Sequence, residues 1–289
     1  FASLRLTNFM TQYLTIGDRQ FDLSRAIVMG ILNVTPDSFS DGGRFDIVER
    51  AVEHALQMQE EGADIIDIGG ESTRPGAASV SVDEELERVM PVIRAIRQQT
   101  SLPISIDTSK PEVMRAAVAE GANMVNDVNA LQAKGALEAC AGLNVPVCLM
   151  HMQGEPRTMQ QDPKYDDVVQ DVTDFLRQRY LACVDAGIDR ASIVIDPGFG
   201  FGKTLPHNLS LLNGLESICE LELPVLVGIS RKSMLGAILD RPVTERLYAG
   251  IAAAVIAYQK GARLFRVHDV GPTRDALAVC DALQHNTGS

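Results

Sequence analysis

Short apolar runs recur along the chain at Ala26–Asn33, Asp64–Gly69, Pro103–Asp107, Asn123–Asp127, Val145–Met150, Ser192–Asp196, Pro224–Ile229 and Arg263–Val267. Most are rich in Ile and Val and too short for helices, which predicts buried parallel strands. The longer segments between them carry apolar residues at helical spacing. Val48–Glu61 puts Val48, Ala51, Val52, Ala55 and Leu56 on one face and stops at Gly62. Asp83–Gln98 offers Asp83 as its N-cap, with Glu84 and Glu85 in the first turn. Pro111 follows Ser109 where a helix start would accept it, and Asp166–Ala186 and Glu245–Gln259 repeat the helical pattern.

Strands alternating with helices give either a closed barrel or a doubly wound sheet, and the count of eight favours a (β/α)8 TIM barrel. Ahead of the first strand, Leu4–Leu23 turns at Gly17-Asp18 and predicts a β-hairpin placed to close the bottom of the barrel. The expected division is a hairpin extension over residues 1–25 and the barrel over residues 26–285.

Composition narrows the class of ligand. The length of 289 residues is ordinary for one such barrel, and 46% hydrophobic residues suffice for its core. A net charge of -12 argues against nucleic acid or an anionic membrane as the main partner. Positive groups that meet an anionic ligand must therefore be gathered locally. The five cysteines are widely spaced without a CxxC, which predicts free thiols in a reducing cytoplasm. No apolar run is long enough for a membrane span, and Phe1–Gln20 has no secretory pattern.

Barrels of this class carry their sites at the C-terminal strand ends. Here those ends hold Asn33, Asp67, Asp107, Asn126, Asp127, His151, Asp196, Ser230, Arg266 and His268. One Asp at a strand end is most simply a helix cap, but a ring of carboxylates, amides and cations points to a ligand. Phe39 in the loop after the first strand is placed to cover a flat ligand, and Gly69-Gly70 allow close backbone approach before Arg74. Gly198–Thr204 resembles a P-loop tail, yet Pro197 stands where its first glycine belongs, so triphosphate binding is rejected and Phe201 is read as a stacking face. Ser230 is expected to cap a helix whose N–H groups, with Lys232, form an anion site. Arg266 and His268, two apart on one strand, form a second cationic spot suited to phosphate. The implied ligand has a flat hydrogen-bonding ring for Asp107, Asn126 and Asp196, a phosphate for Arg266, His268 and Arg74, and a carboxylate-bearing aromatic for Ser230 and Phe201. His54, His207, His285 and Asn129 receive no role.

The segments Met29–Gly43, Asp67–Gly76, Asp196–Lys203, Ser230–Ser233 and Arg266–Val270 resemble, in order, the motifs of the bacterial dihydropteroate synthases. That resemblance implies a dimeric barrel enzyme of folate synthesis that joins a dihydropterin-methyl diphosphate to 4-aminobenzoate and is inhibited by sulfonamides. It implies catalytic roles for Lys232, Asp107, Arg74 and Asp196, and pterin contacts from Asp107, Asn126, Asp196 and Lys232. It assigns the diphosphate to Asn33, Thr73, Arg74, Arg266 and His268, with Mg²⁺ on Asn33. The aminobenzoate falls to Phe39, Pro75, Phe201, Ser230 and Lys232. A pterin-dependent methyltransferase domain that serves a corrinoid, or a non-catalytic pterin-binding barrel, shares the barrel and the pterin carboxylates.

Overall fold

The computed structural model describes residues 13–35, 44–72, 79–155 and 158–286. It opens with an antiparallel hairpin of β1 (Tyr13–Ile16) and β2 (Arg19–Asp22). Gly17 turns it with a φ of 59°, a positive value at the first turn residue only, which a glycine adopts without strain. The described strands cover Tyr13–Asp22 of the predicted hairpin, and the earlier part of that prediction falls outside the described residues. Phe39, Thr73, Arg74 and Pro75 also lie outside them.

Eight parallel strands follow. They are β3 (Ile27–Asn33), β4 (Ile65–Gly69), β5 (Ile104–Asp107), β6 (Met124–Asp127), β7 (Val147–Met150), β8 (Ile193–Asp196), β9 (Leu226–Val227) and β10 (Leu264–Val267). Each pairs with its sequence neighbour from β3 to β8, and β10 pairs with both β3 and β9. A bridge between Ile195 and Val225 joins β8 to the approach of β9 and completes the barrel. The seventh strand is shorter than its apolar run, because the chain folds back at Ile229, whose carbonyl accepts from the Lys232 N–H at 3.1 Å.

Helices cover the outside: α1 (Arg44–Glu60), α2 (Val82–Gln99), α3 (Pro111–Ala119), α4 (Ala136–Leu143), α5 (Val168–Asp185), α6 (Leu205–Asn213), α7 (Leu215–Cys219), α8 (Ser233–Leu239), α9 (Leu247–Gln259) and α10 (Val270–His285). The cap of α2 is Ser81, not Asp83. Its hydroxyl accepts from the Glu84 N–H at 3.2 Å, and Asp83 falls in the first turn with Glu84 and Glu85. Pro111 does open α3, where a missing N–H costs nothing. Helices α4 and α7 are too short to show an apolar stripe in the sequence.

The barrel interior changes character along its axis. Ile27, Met29, Ile65, Met124, Cys148, Val194, Leu226 and Leu264 form one buried cluster with Leu14, Ile16 and Leu23 of the hairpin segment. The hairpin thus plugs the N-terminal end, as the sequence predicts. Side chains two residues apart on a strand share a face. Two positions beyond Ile65, Met124, Val194 and Leu264 stand Asp67, Asn126, Asp196 and Arg266. The same inward-facing rows that are apolar at the plug become polar toward the C-terminal end.

Candidate active site

Asp107 and Asp196 end β5 and β8, Asn126 is the penultimate residue of β6, and all three are buried. Asn126 and Asp127 illustrate why strand alternation matters. Asn126 donates from Nδ2 to Asp67 Oδ2 at 3.3 Å inside the barrel. Asp127 instead accepts from the Asn129 and Leu131 N–H groups, each at 2.8 Å, bracing a turn in which Ala130 and Leu131 hold φ of 50° and 56°. It is a turn builder, although the sequence groups it with the ligand ring.

Arg266 lies between two carboxylates. Its Nε donates to Asp67 Oδ2 at 2.6 Å and its Nη2 to Asp107 Oδ2 at 2.7 Å. Burial opposes its charge, but Asp67 and Asp107 more than reverse that and hold its pKa above the ordinary value. Burial likewise pushes the Asp107 carboxyl up to about 7, with Arg266 pulling it down and Asp67 pushing it further up. The guanidinium that the sequence reads as a bare cationic spot is therefore already paired.

Across the barrel, Asp196 Oδ1 accepts from the Gly198 N–H at 2.7 Å, and burial raises its pKa against the pull of Lys232. Lys232 sits over the Phe201 ring, Nζ 4.6 Å from the centroid, and donates to the Phe199 carbonyl. Burial lowers its pKa to about 8, Asp196 opposing and Arg266 adding to the shift. Asp196, Lys232 and Phe201 thus form one wall.

The loop after β8 is shaped by Lys203. This lysine is buried, and its Nζ donates to the carbonyls of Gly198 at 2.9 Å and Phe201 at 3.0 Å and meets His151 Nδ1 at 2.9 Å. Burial lowers the His151 pKa to about 3, and the Lys203 charge adds to the effect, so the ring is neutral and Nδ1 accepts. A Cβ at Gly198 would lie 1.9 Å from the His151 carbonyl oxygen, which only glycine avoids. Lys203 therefore braces a loop, consistent with rejecting the P-loop reading. Gly70 has a similar explanation: a Cβ there would fall 2.7 Å from Val89 Cγ1 of α2, so its smallness serves helix packing rather than approach to a ligand.

Ser230 does not cap a helix. Helix α8 starts at Ser233 after Lys232, with no side-chain cap, and is only seven residues long. Ser230 Oγ instead accepts from the His268 N–H at 3.2 Å and lies 3.1 Å from His268 Nδ1. The structure thus joins Ser230 to His268, which the sequence assigns to separate subsites. Asn33 ends β3 and is half-buried, level with Gly69 on β4. One polar group eluded the sequence reading: Lys110 bridges Glu71 to Glu85, whose side chain is fully buried. Its members lie in three separate segments, and a helical Glu such as Glu85 reads as solvated.

Chemically, the site offers buried carboxylates and an amide for a flat donor-rich ring, an aromatic face beside a cation, and Arg, Lys and His for an anion. Fold and site together define a (β/α)8 barrel enzyme of the ring-and-anion type. The model of the family described as pterin binding enzyme matches residues 29–268. The dihydropteroate synthase of Escherichia coli K12 is 55% identical over 261 residues, covering 90% of this chain and 93% of that protein. The structure of the Xanthomonas albilineans dihydropteroate synthase with 4-aminobenzoic acid superposes with a TM-score of 0.90 at 55% identity, covering 95% of this chain and 98% of the other. That of the Yersinia pestis dihydropteroate synthase in a sulfonamide drug complex also gives 0.90, at 50% identity, covering 94% and 99%. The chain belongs to the pterin-binding enzymes and, among them, to the dihydropteroate synthases.

Proposed function

We propose that this chain is a transferase of folate biosynthesis that condenses (dihydropterin-6-yl)methyl diphosphate with 4-aminobenzoate, forming dihydropteroate and pyrophosphate. The observation that carries the reading is the set of buried Asp107, Asn126 and Asp196 at the C-terminal strand ends with half-buried Lys232 beside them, within a chain that is 55% identical over 261 residues to the Escherichia coli K12 dihydropteroate synthase. Asp196 and Asp107 accept N–H bonds from the pterin edge, Asn126 adds an amide contact, and Lys232 lies against the ring. The C–O bond of the methylene breaks first, its electron pair leaving with pyrophosphate. Carboxylates beneath the ring favour the positive charge left on the pterin-methylene, and Arg74, Arg266 and His268 favour the departing anion. The neutral arylamine then attacks the methylene and loses a proton. Phe39, Pro75 and Phe201 would wall the aminobenzoate, and Ser230 would meet its carboxylate.

Mg²⁺ fits the donor set as a partner of the diphosphate. Among the described residues no group of three His, Cys, Asp or Glu side chains could hold a metal, so Asn33 would contribute an amide oxygen while diphosphate and water supply the rest. There it would neutralise charge on the leaving group. A homodimer is the further reading of the surface: α9 is apolar around its whole circumference, and α8–α10 expose Ile238, Tyr248, Ile256, Val279 and Leu283. We also place the chain in the cytoplasm, which suits its five free cysteines and the absence, among the described residues, of any helix able to cross a membrane. Sulfonamides, which occupy the Yersinia pestis relative, would compete with aminobenzoate here.

The test is pyrophosphate release in the presence of pterin diphosphate and Mg²⁺. Release that depends on 4-aminobenzoate and matches dihydropteroate formed is the expected result. Absence of release, or release indifferent to the arylamine, would overturn the assignment and favour a methyl-transferring or non-catalytic barrel.

A further inference from the structure

We propose that Asp67 is a positioning residue for this reaction: from one layer below the ligand, it fixes the Arg266 guanidinium and sets which end of the Asn126 carboxamide faces the substrate. The proposal rests on the functional reading above, and its evidence is geometric. Asp67 is the third residue of β4, in register with Ser105 of β5, whereas Asp107 is in register with Gly69. Asp67 therefore lies two residues, roughly 6.6 Å, deeper than Asp107 along the strands. It is fully buried. Its Oδ2 accepts from Arg266 Nε at 2.6 Å and Asn126 Nδ2 at 3.3 Å, so the two ligand-facing residues roof it over.

Two consequences follow from hydrogen-bond chemistry. A carboxylate only accepts, so the Asn126 amide must present its NH2 end to Asp67, which leaves Oδ1 for a donor on the ligand. The guanidinium is planar, so holding Nε on Asp67 and Nη2 on Asp107 fixes its orientation as well as its place. Room for it comes from β4 itself: the inward position beyond Asp67 is Gly69, which brings no side chain into the layer of Asp107. Asp67 Oδ1 and the neighbouring Ser105 Oγ have no hydrogen-bond partner among the described residues. Asp67 is thus not a fully satisfied core residue, and Arg266 and Asn126 are its only polar partners there.

The experiment compares Asp67→Asn, Asp67→Glu, Arg266→Gln and the Asp67→Asn/Arg266→Gln double variant. Readouts are pyrophosphate release, pterin binding by calorimetry and the pH dependence of kcat/KM. Losing a hydrogen bond to a charged group costs about 10- to 100-fold, and Asp67→Asn is expected to lose that much in kcat. In the double variant the loss should fall short of the product of the two single losses, because Asp67 acts in part through Arg266 and in part through Asn126. The charged groups facing Asp107 are Arg266, Asp67, Glu85 and Asp127. Removing the Asp67 charge should move the acidic limb below its wild-type position, while Asp67→Glu keeps the limb and loses rate through displaced geometry. Losses that multiply in the double variant, or Asp67→Asn with wild-type kcat and an unmoved limb, would overturn the proposal. Should Asp67→Asn fail to fold, Asp67→Glu with wild-type kcat would overturn it. Wild-type enzyme that releases no pyrophosphate would instead defeat the functional reading.

Discussion

At the N-terminal end of the barrel, Leu14 and Ile16 of the hairpin meet Met29, Ile65, Met124, Val194 and Leu264 in a dry cluster. At the C-terminal end, two residues further along four of those strands, Asp67, Asn126, Asp196 and Arg266 occupy the equivalent inward positions. The backbone and the direction of the side chains are the same at both ends, so chemistry alone separates them. The first end returns free energy for every methyl group it removes from water. The second spends it: burial raises the pKa of both Asp107 and Asp196, which means their charged forms are held at a cost. One end stabilises the scaffold, and that surplus lets the other keep buried charges aimed at a ligand.

The contrast predicts different damage at each end. With Asp196 accepting two pterin N–H bonds, as proposed, Asp196→Ala removes both, each charge-assisted and worth about 1.5–3 kcal/mol. Pterin affinity should fall at least 100-fold in calorimetry while thermal unfolding stays cooperative. Binding of wild-type strength would remove Asp196 from the site. Leu14→Ala should lower stability by about 2–4 kcal/mol in denaturant unfolding and leave both substrate KM values unchanged. A KM shift there would show that plug and site are coupled. The smallest effect is titration at the polar end. Asp107, raised to about 7, becomes a carboxylate only above that pH, and Lys232, lowered to about 8, loses its charge above that pH. With both charged forms required, kcat/KM should peak between these values and fall about tenfold per unit outside them. Lys232→Arg should abolish the alkaline limb, and a limb that persists would assign it to another group.

Much of this was legible in the sequence, and the reason is periodicity. Runs such as Asp64–Gly69 and Ser192–Asp196 are strands because Ile and Val cluster there, and the polar residues that end them mark the site. What escaped were contacts between segments distant in the chain. Ser230 looks like a helix cap until β9 and β10 are laid side by side and its hydroxyl meets His268. Gly70 looks like a ligand-facing glycine until Val89 of α2 arrives beneath it. Arg266 looks unpaired because Asp67 and Asp107 lie 199 and 159 residues away. Short-range pattern fixes elements and their faces, while partners at such separations are set by the closure of the barrel.

That closure is uneven. Between β8 and β9 the barrel is held by one bridge, Ile195 to Val225, and by the Ile195 N–H on the Pro224 carbonyl at 3.0 Å. Asp196 is the next residue on one bank of this seam, and Lys232 follows the other bank by way of a turn. Few hydrogen bonds resist a small parting there, compared with the continuous ladders from β3 to β8. The barrel is therefore most lightly bonded along this line, which runs between the Asp196 carboxylate and the Lys232 ammonium. A stave loosened at this one joint would widen the mouth for a rigid bicyclic ring without disturbing the hoop elsewhere.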